Sequence, residues 1–203
     1  MQRARHSLAT ISFHAAMVAL AFIYLIPILW ILATSFKTDK NLLNAGQILP
    51  DPVTLSHYIK LFQVIPDFWQ ITLNTMIVAI LSTVGQLLSC SLAGYALARY
   101  RFPGRNVIFF ALLITMMVPS QATLIPVYVM FRNFGLINTL QAMYLPAFFG
   151  SAFATFFFRQ FFMGIPREIE EAAYIDGASR FKTFRSVVLP ISVPPFLALG
   201  LLS

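Results

Sequence analysis

The sequence predicts an all-α fold, a polytopic helical bundle of four complete membrane spans plus the start of a fifth. Three observations carry this. Only 10% of the 203 residues are charged and 59% are hydrophobic, whereas soluble domains carry about 25% charged residues. No Asp, Glu, Lys or Arg occurs in residues 6–36, 68–98, 106–131, 133–158 or 186–203, and about 20 apolar residues cross the hydrocarbon core as a helix. The basic residues between these stretches fall unevenly. Arg3, Arg5, Arg99, Arg101, Arg105, Arg159, Arg167, Arg180, Lys182 and Arg185 lie on one side, and Lys37, Lys40, Lys60 and Arg132 on the other. Excess Lys and Arg mark the cytoplasmic face, so the N-terminus is expected inside. The same rule accounts for the net charge of +7 and removes the reason to expect nucleic acid. A soluble helical core is excluded because its helices would need polar faces.

The first span covers roughly 10–34, with Pro27 as an expected kink. Its apolar run outlasts the 7–15 residues of a signal-peptide core, so it reads as an uncleaved span. Residues 37–67 form an external connection punctuated by Pro50, Pro52 and Pro66. Within it Leu55, Tyr58, Ile59 and Phe62 recur at helical spacing after Thr54, which predicts a short amphipathic helix, on the membrane surface or packed on the spans. The second span, roughly 70–97, carries Ser89, Ser91, Ala93, Gly94, Ala96 and Ala98 near its inner end, and small residues let helices approach closely in lipid. Cys90, the single cysteine, reads as a packing residue and excludes an internal disulfide or a cysteine-rich metal site. Pro103-Gly104 signals a turn.

The third span, roughly 106–130, is interrupted by Pro119 and Pro126. Ser120, Gln121 and Thr123 lie between them and Thr115 just before. Interrupted polar helix at membrane depth is tolerated against protein or a water-filled path, so these four are candidate translocation-path residues. Helix packing, or a span end near the outer surface, is the alternative. The fourth span, roughly 140–162, is rich in phenylalanine (Phe148, Phe149, Phe153, Phe156, Phe157, Phe158, Phe161, Phe162), for which lipid contact and packing are the simpler account than ligand stacking. The chain divides into an N-terminal span with its external loop, 1–69, and a core, 70–203.

Catalytic chemistry is missing. His6, His14 and His57 lie apart, no HExxH pair exists, and Gly150-Ser151 has no histidine at a neighbouring mid-span position. No catalytic and no metal-ligating residues are expected, and the chain is not expected to be an enzyme. A proton- or sodium-coupled carrier usually holds carboxylates at membrane depth. None occurs between Asp67 and Glu168, so the driving energy is expected from outside the membrane segments.

Charge concentrates instead in one connection. Arg167, Glu168, Glu170, Glu171, Asp176, Arg180, Lys182 and Arg185 all lie between spans four and five. At about 3 kcal/mol each, they would cost more than about 20 kcal/mol in lipid, so the segment sits in water or against protein. Pro166 suits a first helical position, the three glutamates fall in the first turns where the helix dipole favours anions, Gly177 fits a left-handed stop, and Ser179 can cap a second helix running toward Pro190. Helix, glycine bend, helix is the predicted shape, and Ala172, Ala173 and Gly177 leave room for close docking.

Glu171-Ala172-Ala173, then Gly177, Val187 and Leu189-Pro190, resembles the EAA motif of ABC importer permeases, with Val187 in place of the usual Ile. The segments GYALARYRFPGR (94–105), MVPSQATLIPVY (117–128), GLINTLQAMYLP (135–146) and FFFRQFFMGIPREIEEAAYIDGASRFKTF (156–184) resemble the carbohydrate, MalG-like branch of that family over nearly the whole chain. The resemblance implies a type I importer permease of the MetI-like fold in the inner membrane, whose coupling loop, 164–190, docks in a groove of a cytoplasmic ATPase. It implies a second permease subunit, two cytoplasmic ABC ATPase subunits that bind the ATP and magnesium (no cofactor belongs to this chain), an extracytoplasmic solute-binding protein, and a sugar, polyol or sugar phosphate as substrate. By the same resemblance Glu171 pairs with a basic group of the ATPase, Gly177 permits close backbone contact, Asp176 caps or pairs locally, and Leu189 and Pro190 close the motif. The family has six spans, with two after the loop, so the sequence reads as C-terminally truncated at Ser203.

Overall fold

The computed structural model of the chain describes residues 2–42, 47 and 49–203, and for 2–9, 11 and 12 the helical backbone alone. The charges of Arg3 and Arg5 that orient the first span therefore lie outside the described side chains. The described elements are helical, and the chain divides into two compact units, Met1–Gln70 and Ile71–Ser203.

In the first unit, α1 (Gln2–Ser35) contains a 23-residue apolar stretch, Phe13–Ser35. It has no polar face, and its side chains are exposed all round, as expected of a helix whose solvent is hydrocarbon. Pro27 sits inside the helix, which continues through it. The segment beyond α1 is tied down by polar contacts. Lys37 is buried, donates from Nζ to the Gln47 carbonyl and lies 4.9 Å over the Trp30 ring. His57 Nε2 meets the Lys37 carbonyl at 2.8 Å. Lys60 Nζ donates to Asp39 at 2.7 Å, and this hydrogen bond and charge hold the Asp39 carboxyl below its usual range. The predicted short helix is α2 (Ser56–Val64). It has no buried residue, yet Tyr58 packs against Phe36 and its hydroxyl meets Ser35 Oγ at 2.8 Å, so it is anchored to the end of α1 through one aromatic.

In the second unit, α3 (Phe68–Arg99) is the second helix long and apolar enough by itself to span. Its inner half packs on α7 (Ala152–Gly164). The core gathers Cys90, Tyr95 and Ala98 from α3, Ala154, Phe158 and Phe162 from α7, and Ile165, Phe184, Val188 and Leu199 from the segments C-terminal to α7. The small residues set the crossing. A Cβ on Gly94 would lie 2.8 Å from the Phe158 Cβ and 3.0 Å from the Arg159 nitrogen. Cys90 fills a packing place as expected, and its Sγ also accepts from the Ser151 N–H at 3.1 Å, just where Ser151 caps α7.

The remaining spans are broken. The third is α4 (Arg105–Thr115) and α5 (Ser120–Asn133), bent by 102°. Pro119 makes the break, because its backbone is extended (ψ 136°) and it caps α5. Pro126 makes none and lies inside α5, correcting the expectation of two interruptions. The fourth span is likewise not one helix from 140 to 162. α6 (Gln141–Tyr144) tightens into a 3-10 turn, Leu145–Phe149, and the chain reverses its backbone at Gly150 (φ +90°) before α7. Only part of the phenylalanine set is core: Phe158 and Phe162 are fully buried, whereas Phe149 faces outward.

Beyond α7 the axis turns by 75° into α8 (Arg167–Ile175). A second helical run, Arg180–Ile191, comprises α9 (Arg180–Thr183), a π turn at Phe184–Val188 and α10 (Leu189–Ile191). It then turns by 74° into α11 (Val193–Leu202). If each bent pair counts as one span, the described residues supply up to five.

The Gly94 crossing yields a test. Replacing Gly94 by Leu must push α7 off α3, at a cost of about 1–3 kcal/mol for overpacking a tight contact. A lowered melting temperature in detergent, with Ala93→Leu unchanged as the exposed control, is the expected result.

Candidate functional site

The charged connection folds as its sequence directs. Pro166 stands one place outside the helix that it was expected to begin, in extended conformation (φ −56°, ψ 138°), and α8 starts at Arg167. Glu168 and Glu170 occupy the first turn, next to the free amide groups. Gly177 adopts φ +79°, and the Ala178 N–H reaches back to the Ala173 carbonyl at 2.9 Å while the Gly177 N–H bonds to the Tyr174 carbonyl at 3.0 Å. This left-handed stop needs glycine, since a side chain there would strain the backbone. Ser179 then caps α9, its Oγ accepting from the Lys182 N–H at 3.3 Å.

Two adjacent glutamates of α8 diverge, because successive helical residues are turned by about 100°. Glu171 is exposed, as are Ala172, Asp176, Gly177 and Pro190, with Ala173 and Leu189 half-buried. Beside this polar set stand Ile175 and Phe181, 87% and 66% exposed. Together they form a surface of one carboxylate, small residues and two large apolar side chains. The Asp176 carboxylate, expected to cap or pair locally, makes no hydrogen bond or ion pair among the described residues. Only its backbone N–H closes the helix, on the Ala172 carbonyl at 3.0 Å.

Glu170 turns inward and is 5% exposed. Its Oε1 meets Arg99 Nε at 2.6 Å as an ion pair whose side chains are both nearly inaccessible, and its Oε2 accepts from the Tyr95 hydroxyl at 3.1 Å. Arg99 Nη2 donates to the Ile165 carbonyl at 2.7 Å. The Tyr95 ring packs on Phe162, Phe184 and Tyr100 with centroids 4.8–5.7 Å apart. Arg180 lies 5.1 Å over the Tyr100 ring, and burial pushes the Tyr100 hydroxyl above its usual range, so that group remains neutral. Sequence reasoning assigned Glu170 only to the helix dipole and missed its partners. The available signal was Tyr95 and Arg99, four apart on one helical face, with Arg99 the first charge after a long uncharged span.

The four candidate path residues do come together at the α4–α5 bend, all exposed. The Thr115 hydroxyl donates to the Leu112 carbonyl at 2.6 Å and the Thr123 hydroxyl to the Ser120 carbonyl at 2.9 Å. Such bonds let a hydroxyl sit in apolar surroundings at little cost. Among the described residues no His, Cys, Asp or Glu cluster could hold a metal ion.

Comparison with known proteins gives these features a context. The profile of the family described as binding-protein-dependent transport system inner membrane component matches residues 90–203, more than half of the chain. An arabinooligosaccharides transport system permease of Halalkalibacterium halodurans is 35% identical, over 90% of this chain and 66% of its own length. A diacetylchitobiose uptake system permease of Streptomyces coelicolor is 31% identical, over 93% and 62%. An sn-glycerol-3-phosphate transport system permease of Salmonella typhi is 38% identical, over 81% and 58%. The chain thus spans less than two thirds of each relative. A crystal structure of a bacterial ABC transporter involved in the import of the acidic polysaccharide alginate superposes with a TM-score of 0.81 at 26% identity, over 96% of this chain and 69% of the matching one.

Removing Arg99 leaves a buried, uncompensated carboxylate, and such losses cost about 3–5 kcal/mol. Arg99→Ala is therefore expected to lower thermal stability sharply in detergent, while Glu171→Ala, on the exposed face of the same loop, leaves it unchanged.

Proposed function

The chain belongs to the family of binding-protein-dependent transport system inner membrane components, and on that premise we propose that it is the permease subunit of an ATP-driven importer, with residues 166–190 as its coupling loop. The observation that carries this is the exposed face around Glu171 and Gly177: a charged, water-facing element set off from the neighbouring helices by bends of 75° and 74°. A connector that only joined two spans would have no use for exposed Ile175 and Phe181, whereas a protein groove covers them and gains their burial.

In this reading ATP and magnesium sit on two cytoplasmic ATPase subunits, and the present chain supplies position and motion instead of catalysis. ATP binding closes the ATPase pair, the pair carries the loop with it, and the spans switch between inward- and outward-facing states. Glu171 pairs with a basic group of the ATPase, and the side-chain-free Gly177 lets the two backbones meet. A second permease subunit completes the path, and an extracytoplasmic binding protein delivers the solute. The charge bias favours a cytoplasmic N-terminus.

The substrate class is a saccharide, or a related polyol or sugar phosphate. The relatives named for arabinooligosaccharides, diacetylchitobiose and sn-glycerol-3-phosphate support it. Thr115, Ser120, Gln121 and Thr123 are the proposed path residues of this chain. Their exposed polar atoms at a helix break suit a wet passage.

Glu171→Lys and Gly177→Pro test the loop. The unsubstituted chain, co-expressed with its ATPase and reconstituted, is expected to take up at least one of radiolabelled arabino-oligosaccharide, diacetylchitobiose or sn-glycerol-3-phosphate in an ATP-dependent manner. Both variants are expected to lose uptake entirely and to release the ATPase on purification. Coupled uptake in either variant contradicts the assignment.

A further inference from the structure

The face of α8 opposite Glu171 has no access to an ATPase, yet it carries a charge that is paired and hydrogen-bonded within the second unit. Helix α8 is nine residues long, too short to hold its own shape or direction in water. It follows a bend at Pro166, and it ends at a glycine. Nothing in its own backbone transmits a force to the membrane helices. The contacts of Glu170 can. Arg99 ends α3, and its guanidinium meets Glu170 through Nε and the Ile165 carbonyl through Nη2. The end of α7, the start of α8 and the inner end of α3 therefore converge on one planar, rigid group. Tyr95, one turn back along α3, holds the second carboxylate oxygen.

We infer that Tyr95, Arg99 and Glu170 are positioning residues that bind α8 and the inner half of α3 into one rigid lever. A displacement of the exposed loop face is thereby delivered to a spanning helix instead of being absorbed at the Pro166 bend. The inference rests on the loop being the ATPase-coupling element. It gives the two neighbouring carboxylates separate roles, with Glu171 receiving the force and Glu170 passing it on. A buried, charge-assisted contact suits this, because its directional geometry cannot slide as an apolar contact can.

The test uses the assembled transporter in a Cys90→Ser background, with spin labels on Glu168→Cys in α8 and Ala93→Cys in α3, both exposed positions. The distance between them is measured without nucleotide and with ATP plus vanadate. With the linkage intact, one narrow distance is expected, the same in both states. In Glu170→Gln, which keeps shape and the Tyr95 contact but removes the charge, the nucleotide is expected to shift or broaden the distance beyond the width of the unsubstituted peak. Tyr95→Phe, which removes one hydroxyl and leaves the ion pair, serves if Glu170→Gln does not assemble, and a smaller broadening is expected. Variant distances that stay narrow and unmoved with nucleotide overturn the lever. So does an unsubstituted distance that itself shifts. If the unsubstituted chain retains no ATPase at all, the coupling assignment falls first and the lever falls with it.

Discussion

The structure of the inner end of this chain depends on one buried ion pair. Arg99 and Glu170 bring opposite charges together at 2.6 Å with side chains 6% and 7% exposed. Taking two ions out of water costs several kcal/mol each, and attraction repays this only when the remaining polar atoms are also satisfied. Here the Tyr95 hydroxyl and the Ile165 carbonyl do that. Such a pair contributes less as net stability than as specificity. Any register of α8 on α3 other than the observed one would strand a charge. The orientation of the loop is thus fixed from beneath, and its outer face is free to carry Glu171, Ile175 and Phe181.

The rest of the core serves the same junction. Gly94 brings α3 against α7 until backbone and Cβ atoms touch, which sets the distance at which Arg99 reaches the Ile165 carbonyl. The aromatic group of Tyr95, Phe162 and Phe184 walls the pair from water, lowering the local dielectric that makes the interaction strong. Phe184 opens the π turn that succeeds α9, so the second arm of the loop is held by the same cluster as the first. Two arms pinned to one cluster, with a left-handed glycine between them, make an element that can move as a unit.

Much of this was legible in the sequence, for physical reasons that vary by element. The spans were readable because charge is excluded from lipid, and α1 and α3 follow almost directly from their uncharged runs. The loop's shape was readable because Gly177 and Ser179 act through their own backbones and need no distant partner. The breaks at Pro119 and Gly150 were less so. Pro126 has the same local chemistry as Pro119, yet its helix absorbs it, and only the surrounding packing distinguishes the two. Least legible was Glu170. Local patterning gives it to the first turn with Glu168, and its inward role depends on Arg99 and Tyr95, some seventy positions earlier. Periodicity cannot report a contact of that range.

The central claim is that residues 166–190 form a water-facing docking element for an ATPase on the cytoplasmic side. Labelling of a cysteine at the most exposed apolar position of the loop, Ile175→Cys, tests it most directly, since native Cys90 is fully buried. A membrane-impermeant maleimide should react from the cytoplasmic side only, and the bound ATPase should protect the site. Reaction from the outer side, or equal reaction with and without the ATPase, would contradict the account.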